Sequence, residues 1–240
     1  MSSIIREAKS EWLKRFDGAV LTKPVEFGAH PVRHFFVRNF DIIGRNMYLV
    51  SVYGRILLDQ NNAKASIKGI EEAEQLISER YDTVLKEIQQ KTGVLEAMAS
   101  DEGVDAKAEF NKREKGIARI TVPVQRRLLD ILAAADNYAL LVATLWIEGV
   151  LDEKQKSKAM LELRTLLKQT SSTVRKMGRL ILGKINEAKS SVESAGDGAS
   201  EAVAEMSAEG DADDDDEAAD AESVSVDEPT ESLTGERAAA

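Results

Sequence analysis

The chain has 240 residues, with 42 Asp and Glu against 32 Lys and Arg, and it has no cysteine. It therefore lacks disulfides, thiolate metal ligands and a cysteine nucleophile, which fits a reducing cytosol. The first ten residues mix charges with two adjacent isoleucines and lack the apolar run of a secretory signal. The most apolar region, 35–58, contains four charged side chains, which favours a core helix over a membrane span. We expect a cytoplasmic protein without a membrane partner.

The acidic charge is concentrated near the C-terminal end of the sequence. Residues 190–240 contain 17 acidic residues and one Arg, whereas residues 1–189 contain 31 basic and 25 acidic residues, a net charge of +6. The run Asp211–Glu217 lies among Ala, Ser and Gly and cannot bury enough apolar surface to offset chain entropy. The sequence predicts a folded body, 1–189, followed by a disordered acidic tail, 190–240. This charge asymmetry points to nucleic acid or another charged partner.

The body begins with a pattern typical of one strand and two helices. Residues 20–27 alternate between two faces and contain Pro24, as an edge strand does. Apolar residues from Val32 recur at helical spacing and predict a helix to about Asp59, followed by an asparagine-containing turn. A second amphipathic helix follows, and we expect Gly93 to end its regular part.

The second half repeats this order of elements. A polar segment, residues 99–116, is predicted to be a loop or an insertion. Residues 117–124 alternate more regularly than the first strand, and a helix follows them. Gly149 lies where a helix C-cap is expected. Asp152 and Gln155 resemble a capping box that starts a last long helix. The fold class is therefore mostly α with a small β ribbon and four long helices.

Strand, helix, turn, helix is the order of a ribbon-helix-helix unit, in which two paired strands enter the DNA major groove. Side chains two apart share a strand face, so Arg119 and Thr121 would project outward while Ile120 and Val122 pack on the helices. Arg is suited to bidentate contact with guanine, and we predict base contacts from Arg119 and Thr121. The ribbon would form across a homodimer or, alternatively, by pairing of both strands within one chain. A solvated Arg on a half-buried strand is the other interpretation of Arg119.

The last predicted helix carries an excess of basic side chains. They could neutralise DNA phosphates, and the excess is larger than a mixed, salt-bridged face needs. The predicted phosphate contacts are Arg164, Lys168, Arg175, Lys176 and Arg179. The alternative is a solvated helix face, since basic residues near a helix C-terminus are favoured by the helix dipole.

Residues suited to catalysis are few. The only histidines, His30 and His34, are four apart, a spacing that binds a metal only with a third ligand. Because Pro31 lies between them, they are more simply a turn residue and a helix-start residue. No Gly-rich phosphate loop, Gly-x-Ser-x-Gly elbow or dinucleotide fingerprint occurs. We expect no metal, no cofactor and no enzymatic activity.

Two stretches carry a resemblance to a known family. Within 35–58 the chain reads Phe-Phe-Val-Arg-Asn-Phe-Asp-Ile-Ile-Gly-Arg, and within 121–151 it reads Val-Pro-Val, Asp-Asn-Tyr-Ala-Leu-Leu-Val and Gly-Val-Leu. These resemble the AcaB-like family, regulators of conjugative plasmids and integrating conjugative elements, over about residues 16–182. The resemblance implies a ribbon-helix-helix transcriptional activator of transfer genes that binds double-stranded DNA. The acidic tail is not part of the family pattern.

A second class of function stays open. The chain could be a helical adaptor of a conjugation apparatus, with no nucleic-acid role, whose acidic tail recruits a basic protein partner. DNA binding requires basic residues gathered on one face, whereas an adaptor would scatter them. The tail could also weaken nonspecific DNA binding by competing with phosphates, or it could act only as a solubilising appendage.

Overall fold

The computed structural model describes residues 11–14, 16–56, 64–105 and 108–193. The order strand, helix, helix occurs twice in it, as predicted. In chain order the elements are α1 (Glu11–Lys14), β1 (Leu21–Phe27), α2 (His30–Tyr48), a π-helical segment (Leu49–Tyr53), α3 (Lys64–Asp101), β2 (Glu114–Ile120), α4 (Pro123–Ile147) and α5 (Glu153–Glu193). The predicted turn after α2 and the acidic residues beyond 193 lie outside the described residues.

β1 and β2 pair with each other in one antiparallel ribbon. Leu21 lies opposite Ile120 at one end of the ribbon, and Phe27 lies opposite Glu114 at the other. Both strands belong to the same chain, so the expectation of a ribbon formed across a homodimer is wrong. The alternative, pairing of both strands within one chain, is the arrangement observed. Pro24 is tolerated because each strand of a two-stranded ribbon has an open edge.

β2 begins and ends earlier than the predicted strand, 117–124. Pro123 lies in the first turn of α4, where its missing N–H costs no hydrogen bond, and the preceding Val122 is extended with φ −139° and ψ 149°. Residues 121–122 therefore form the junction between β2 and α4, and residues 123–124 are the first residues of α4. At the other end of the strand, Glu114–Gly116 belong to β2. The predicted loop, 99–116, is correspondingly too long.

α3 continues through Gly93, where we expected it to end, and stops at Asp101. Gly103 has φ +69°, its N–H donates to the Ser100 carbonyl, and the Val104 N–H donates to the Ala99 carbonyl at 2.9 Å. This is the pattern of a Schellman cap, in which the residue at positive φ is usually glycine.

The predicted end of α4 and start of α5 are confirmed. Gly149 has φ +76°, and the Val150 N–H donates to the Leu145 carbonyl at 2.9 Å, which makes a second Schellman cap. The Asp152 N–H donates to Gln155 Oε1 at 2.8 Å, and the Gln155 N–H donates to Asp152 Oδ1 at 2.6 Å. These reciprocal bonds are those of a capping box.

α4 is the central helix of the core. It packs against α2, α3 and α5 and buries Leu128, Leu132, Ala135, Val142 and Leu145 almost completely. Among the described helices it alone is long and apolar enough to cross a membrane, but 61% of its apolar window is buried inside the protein. That burial is expected of a core helix.

Candidate nucleic-acid interface

One side of the ribbon faces away from the helices. Ala118, Ile120 and Phe27 lie on the inner side and are buried, in contact with the layer formed by α2 and α4. Because cross-strand partners share a side of the ribbon, the register assigns three pairs to the opposite side. We call these residues the outer ribbon face: Glu26 and Lys115, Pro24 and Ile117, Thr22 and Arg119.

Arg119 lies on the outer ribbon face, as the predicted alternation requires. Its neighbours Ala118 and Ile120 are buried on the inner side of the ribbon, whereas Arg119 is partly exposed. Arg119 already interacts with another part of the chain, so a base contact would form in addition to that interaction or in place of it. The backbone carbonyl of Arg119 accepts a hydrogen bond from Gln125 Nε2 at 3.2 Å, so the strand is anchored at this position.

Thr121 does not share the strand face of Arg119, because β2 ends at Ile120. The Thr121 N–H and hydroxyl both donate to Gln125 Oε1, at 2.7 and 3.0 Å. Thr121 is thus part of the strand-to-helix junction, and the prediction that it lies on the same strand face as Arg119 is wrong.

Lys115 is an outer-face residue of β2 that the sequence analysis placed in a loop, and Ile117 lay inside the predicted strand but was given no role. The alternation of Lys115, Ile117 and Arg119 is visible in the sequence, but Gly116 and the polar residues before it favoured a loop. Both side chains are exposed. The outer ribbon face therefore presents two cations on β2, separated by one apolar side chain.

Gln125 joins the ribbon to two helices. Its Oε1 accepts the bonds from Thr121, and its Nε2 lies 3.5 Å from the Phe40 carbonyl on α2 as well as bonding Arg119. Gly44 on α2 leaves room for this amide, since a Cβ there would overlap it. Gln125 is 1% exposed, and its hydrogen bonds, buried or partly buried, hold this end of the ribbon on α2 and α4.

The other end of the ribbon is held by Asp136 on α4. Its Oδ1 accepts hydrogen bonds from the N–H groups of Gly28 at 3.0 Å and Ala29 at 2.7 Å. α2 has no side-chain cap of its own, because Ala29 is the N-cap residue. A carboxylate at a helix N-terminus is favourable both as an acceptor and in the field of the helix dipole. The β1–α2 junction is thus fixed by a distant residue.

The basic residues predicted on the last helix fall into two groups. Arg164, Lys168, Lys176 and Arg179 are exposed, and we call these four the α5 basic face. No acidic residue occurs from Leu163 to Asn186. At about 100° per residue the four side chains span roughly 120° of the helix circumference. Basic residues are therefore gathered on one face of α5, as phosphate contact requires.

Arg175 belongs to the packing between α5 and α2. Its guanidinium donates to Asn39 Oδ1 at 2.9 Å, and its Nε is buried without a hydrogen-bond partner. An arginine used in this way positions two helices and is poorly placed to follow a phosphate. Its assignment as a phosphate contact finds less support in the geometry than that of the four residues of the α5 basic face.

The ribbon and α5 pack against different sides of α2. Arg33 pairs with Glu114 of the ribbon, whereas Asn39 accepts from Arg175 of α5. The step of six positions from Arg33 to Asn39 corresponds to a separation of about 120° around the helix. The predicted base contacts and phosphate contacts are therefore not brought together into one surface.

The two histidines are both exposed, and His30 is the first residue of α2. Their rings stack with centroids 6.0 Å apart. Among the residues that the structure describes, no group of three or more His, Cys, Asp or Glu side chains could hold a metal ion.

The fold is similar to that of a solved protein, AcaB from uropathogenic E. coli. The crystal structure of its selenomethionine-containing form matches this chain with a TM-score of 0.55 and 20% sequence identity. The match covers 74% of this chain and 84% of that chain. At this identity the similarity shows an AcaB-like fold. No protein-family profile matches the chain, and no curated protein matches it.

Proposed function

We propose that this chain is a sequence-specific DNA-binding transcriptional regulator whose outer ribbon face enters the major groove. The observation that carries the proposal is a two-stranded ribbon, supported from behind by α2 and α4, whose outer face carries Lys115 and Arg119. The major groove is wide enough for a two-stranded ribbon, and Arg and Lys are the side chains that most often contact guanine edges. The similarity to the AcaB fold agrees with this proposal.

The rigidity of the support favours base reading over loose attachment. Gln125 and Asp136 each fix one end of the ribbon through hydrogen bonds that are buried or partly buried. A contact made from a rigid element loses little conformational entropy on binding. The single-chain ribbon also needs no second subunit, so one chain presents a complete recognition element; a homodimer would place two such elements on a longer site.

The α5 basic face supplies the second part of the proposal. Its four cations contact DNA phosphates without reading sequence, which adds salt-dependent affinity. Because α5 and the ribbon lie on different sides of α2, these contacts fall on a stretch of DNA other than the one the ribbon occupies. Thr121 takes no part in base contact in this proposal.

The finer assignment follows the sequence resemblance. We propose that the regulated genes are transfer genes of a conjugative element, that the protein activates them and that it acts in the cytoplasm. The acidic residues 190–240 would serve as a tether for a basic partner or as a brake on nonspecific binding.

The test of DNA binding is in vitro selection with the full-length chain and a pool of random duplexes. The proposal predicts enrichment of a short motif whose binding survives competition with random DNA and weakens steeply as salt rises. A pool that remains random after repeated rounds would contradict it and would favour the helical adaptor instead.

A further inference from the structure

The centre of the outer ribbon face is apolar. Ile117 is 48% exposed and lies opposite Pro24, between the Glu26–Lys115 pair and the Thr22–Arg119 pair. A single exposed apolar residue on a protein surface is ordinary. The position of Ile117 is unusual, because it lies between the two cations of β2 on the side of the ribbon that faces away from the described helices.

We infer that Ile117 contacts the 5-methyl group of a thymine and makes the protein selective for thymine at one position of its site. The inference rests on the proposed function and adds the base that this residue reads. The thymine methyl is the apolar group that the major groove offers to protein side chains. Pro24, opposite Ile117 in the register, adds a second apolar surface to the same contact.

The strand geometry also gives the position of this thymine. Residues 117 and 119 are two apart, which corresponds to about 7 Å along a strand. Successive base pairs are about 3.4 Å apart along the duplex axis. A ribbon aligned with the groove therefore places the methyl contact of Ile117 about two base pairs from the guanine that Arg119 contacts.

The test uses the duplex recovered by in vitro selection, with each thymine replaced in turn by deoxyuridine, which lacks only the 5-methyl group. Burying one such group corresponds to about 0.8 kcal/mol, or a roughly fourfold change in affinity. We expect one deoxyuridine position, two base pairs from a guanine, to weaken binding by about that factor. The Ile117→Ala variant should bind thymine and deoxyuridine duplexes equally at this position.

Two control variants separate this contact from other effects. Ile117→Val keeps a branched side chain and should retain most of the sensitivity to deoxyuridine. Val94 on α3 is 63% exposed, and Val94→Ala should keep the full sensitivity.

Different failures lead to different conclusions. If no motif is selected, the proposed function is wrong, and the thymine contact, which rests on it, is wrong as well. If a motif is selected but the wild-type chain is indifferent to every deoxyuridine, only the inference is overturned. The inference is also overturned if Ile117→Ala loses affinity equally for the thymine and deoxyuridine duplexes. It is overturned as well if the variant binds both duplexes as the wild type does but sediments differently, which would indicate that Ile117 contacts a second copy of the chain.

Discussion

Asp136 gives the start of α2 an acceptor that its own sequence lacks. The bonds to Gly28 and Ala29 connect residues more than a hundred positions apart, and the carboxylate is only 8% exposed. An N-cap is usually recognised from a local Ser, Thr, Asp or Asn, and this segment offers Ala29. The contact could not be predicted from the sequence because its partner is set by the packing of α4 on α2.

The first prediction concerns the Asp136→Ala variant. We expect it to lower the free energy of unfolding by about 1 to 3 kcal/mol, because two buried N–H groups lose their acceptor. Asp136→Asn keeps an oxygen at the same place and should lose less. Asp130→Ala, an exposed change on the same helix, is the matched control. Denaturant unfolding measures all three, and equal losses for Ala and Asn would show that the acceptor is unimportant.

The second prediction compares two glycines inside helices. A Cβ at Gly44 would overlap the Gln125 amide, so Gly44→Ala should destabilise the protein by about 1 to 3 kcal/mol. No atom lies within 4 Å of a Cβ at Gly93, so Gly93→Ala should stabilise by about 0.5 to 1 kcal/mol. Thermal unfolding of both variants should shift in opposite directions. A stabilised Gly44→Ala variant would mean that Gln125 does not hold the ribbon end as described.

Three residues near the end of β2 show which positions the sequence pattern predicts and which it does not. The alternation of β2 predicted the outward position of Arg119, because a buried strand face imposes a period of two. The same pattern placed Thr121 wrongly, since Pro123 had been included in the strand although it starts α4. Gln125 was not recognised because its role depends on Gly44 and Phe40, which are distant in sequence.

Helix ends can be predicted when residues close in sequence determine them, and they are missed when distant contacts do. The capping box at Asp152 and the glycine at 149 are local patterns, and the structure confirms both. Gly93 was a misleading stop, because a glycine ends a helix when it adopts positive φ, and the apolar stripe continues to the buried Leu95. Pairing of the two strands within one chain depends on the tertiary fold and had remained an alternative.

The contacts between α5 and its neighbours separate structural from exposed cations. Arg175 donates a hydrogen bond to Asn39, whereas Lys176, the next residue, and Arg179, one turn further on, are exposed. A cation that takes part in helix packing also occurs between α3 and α5, where Lys91 Nζ donates to Glu162 at 2.6 Å. This hydrogen bond raises the pKa of Lys91 and lowers the pKa of Glu162. Both side chains are about a third exposed, so the pair contributes on the order of 0.2 to 1 kcal/mol.

The third prediction tests the α5 basic face without disturbing packing. Replacing Arg164, Lys176 and Arg179 together with Gln should weaken binding to selected and random duplexes by similar factors and reduce the salt dependence. The free energy of unfolding should stay nearly unchanged, because these side chains are exposed. Arg175→Gln should do the reverse, lowering stability with less effect on the salt dependence. An unchanged salt slope in the triple variant would show that this face does not meet phosphates.

The net charge of residues 194–240 is opposite in sign to that of the rest of the chain. The full chain has a net charge of −10, and residues 194–240 contain 16 acidic residues and one Arg. Removing those residues leaves 31 basic and 26 acidic side chains, a net charge of +5. The sign of the long-range field that DNA meets is therefore set by the part of the chain beyond the described helices.

The fourth prediction follows from this change of sign. A chain ending at Glu193 should bind random duplex DNA more tightly than the full chain at low salt, and the difference should shrink as salt screens the charges. Fluorescence anisotropy with a random duplex at two salt concentrations measures it. Equal affinities at low salt would assign the acidic residues a solubilising role.

The proposed function requires that the outer ribbon face contacts base edges in DNA. Arg119 lies on that face, and Arg38, an exposed arginine of α2, lies about 140° around the helix from the ribbon-facing Arg33. The two arginines carry the same charge, so replacing either with Ala changes the long-range field equally. They differ in whether they lie on the proposed recognition surface.

The most direct test is the affinity of Arg119→Ala and Arg38→Ala for the selected duplex and for a scrambled duplex at the same salt concentration. We predict that Arg119→Ala loses about 1 to 3 kcal/mol of binding free energy on the selected duplex and much less on the scrambled one. Arg38→Ala should change both affinities little and equally. If Arg119→Ala weakened both duplexes by the same factor, the ribbon would not read bases.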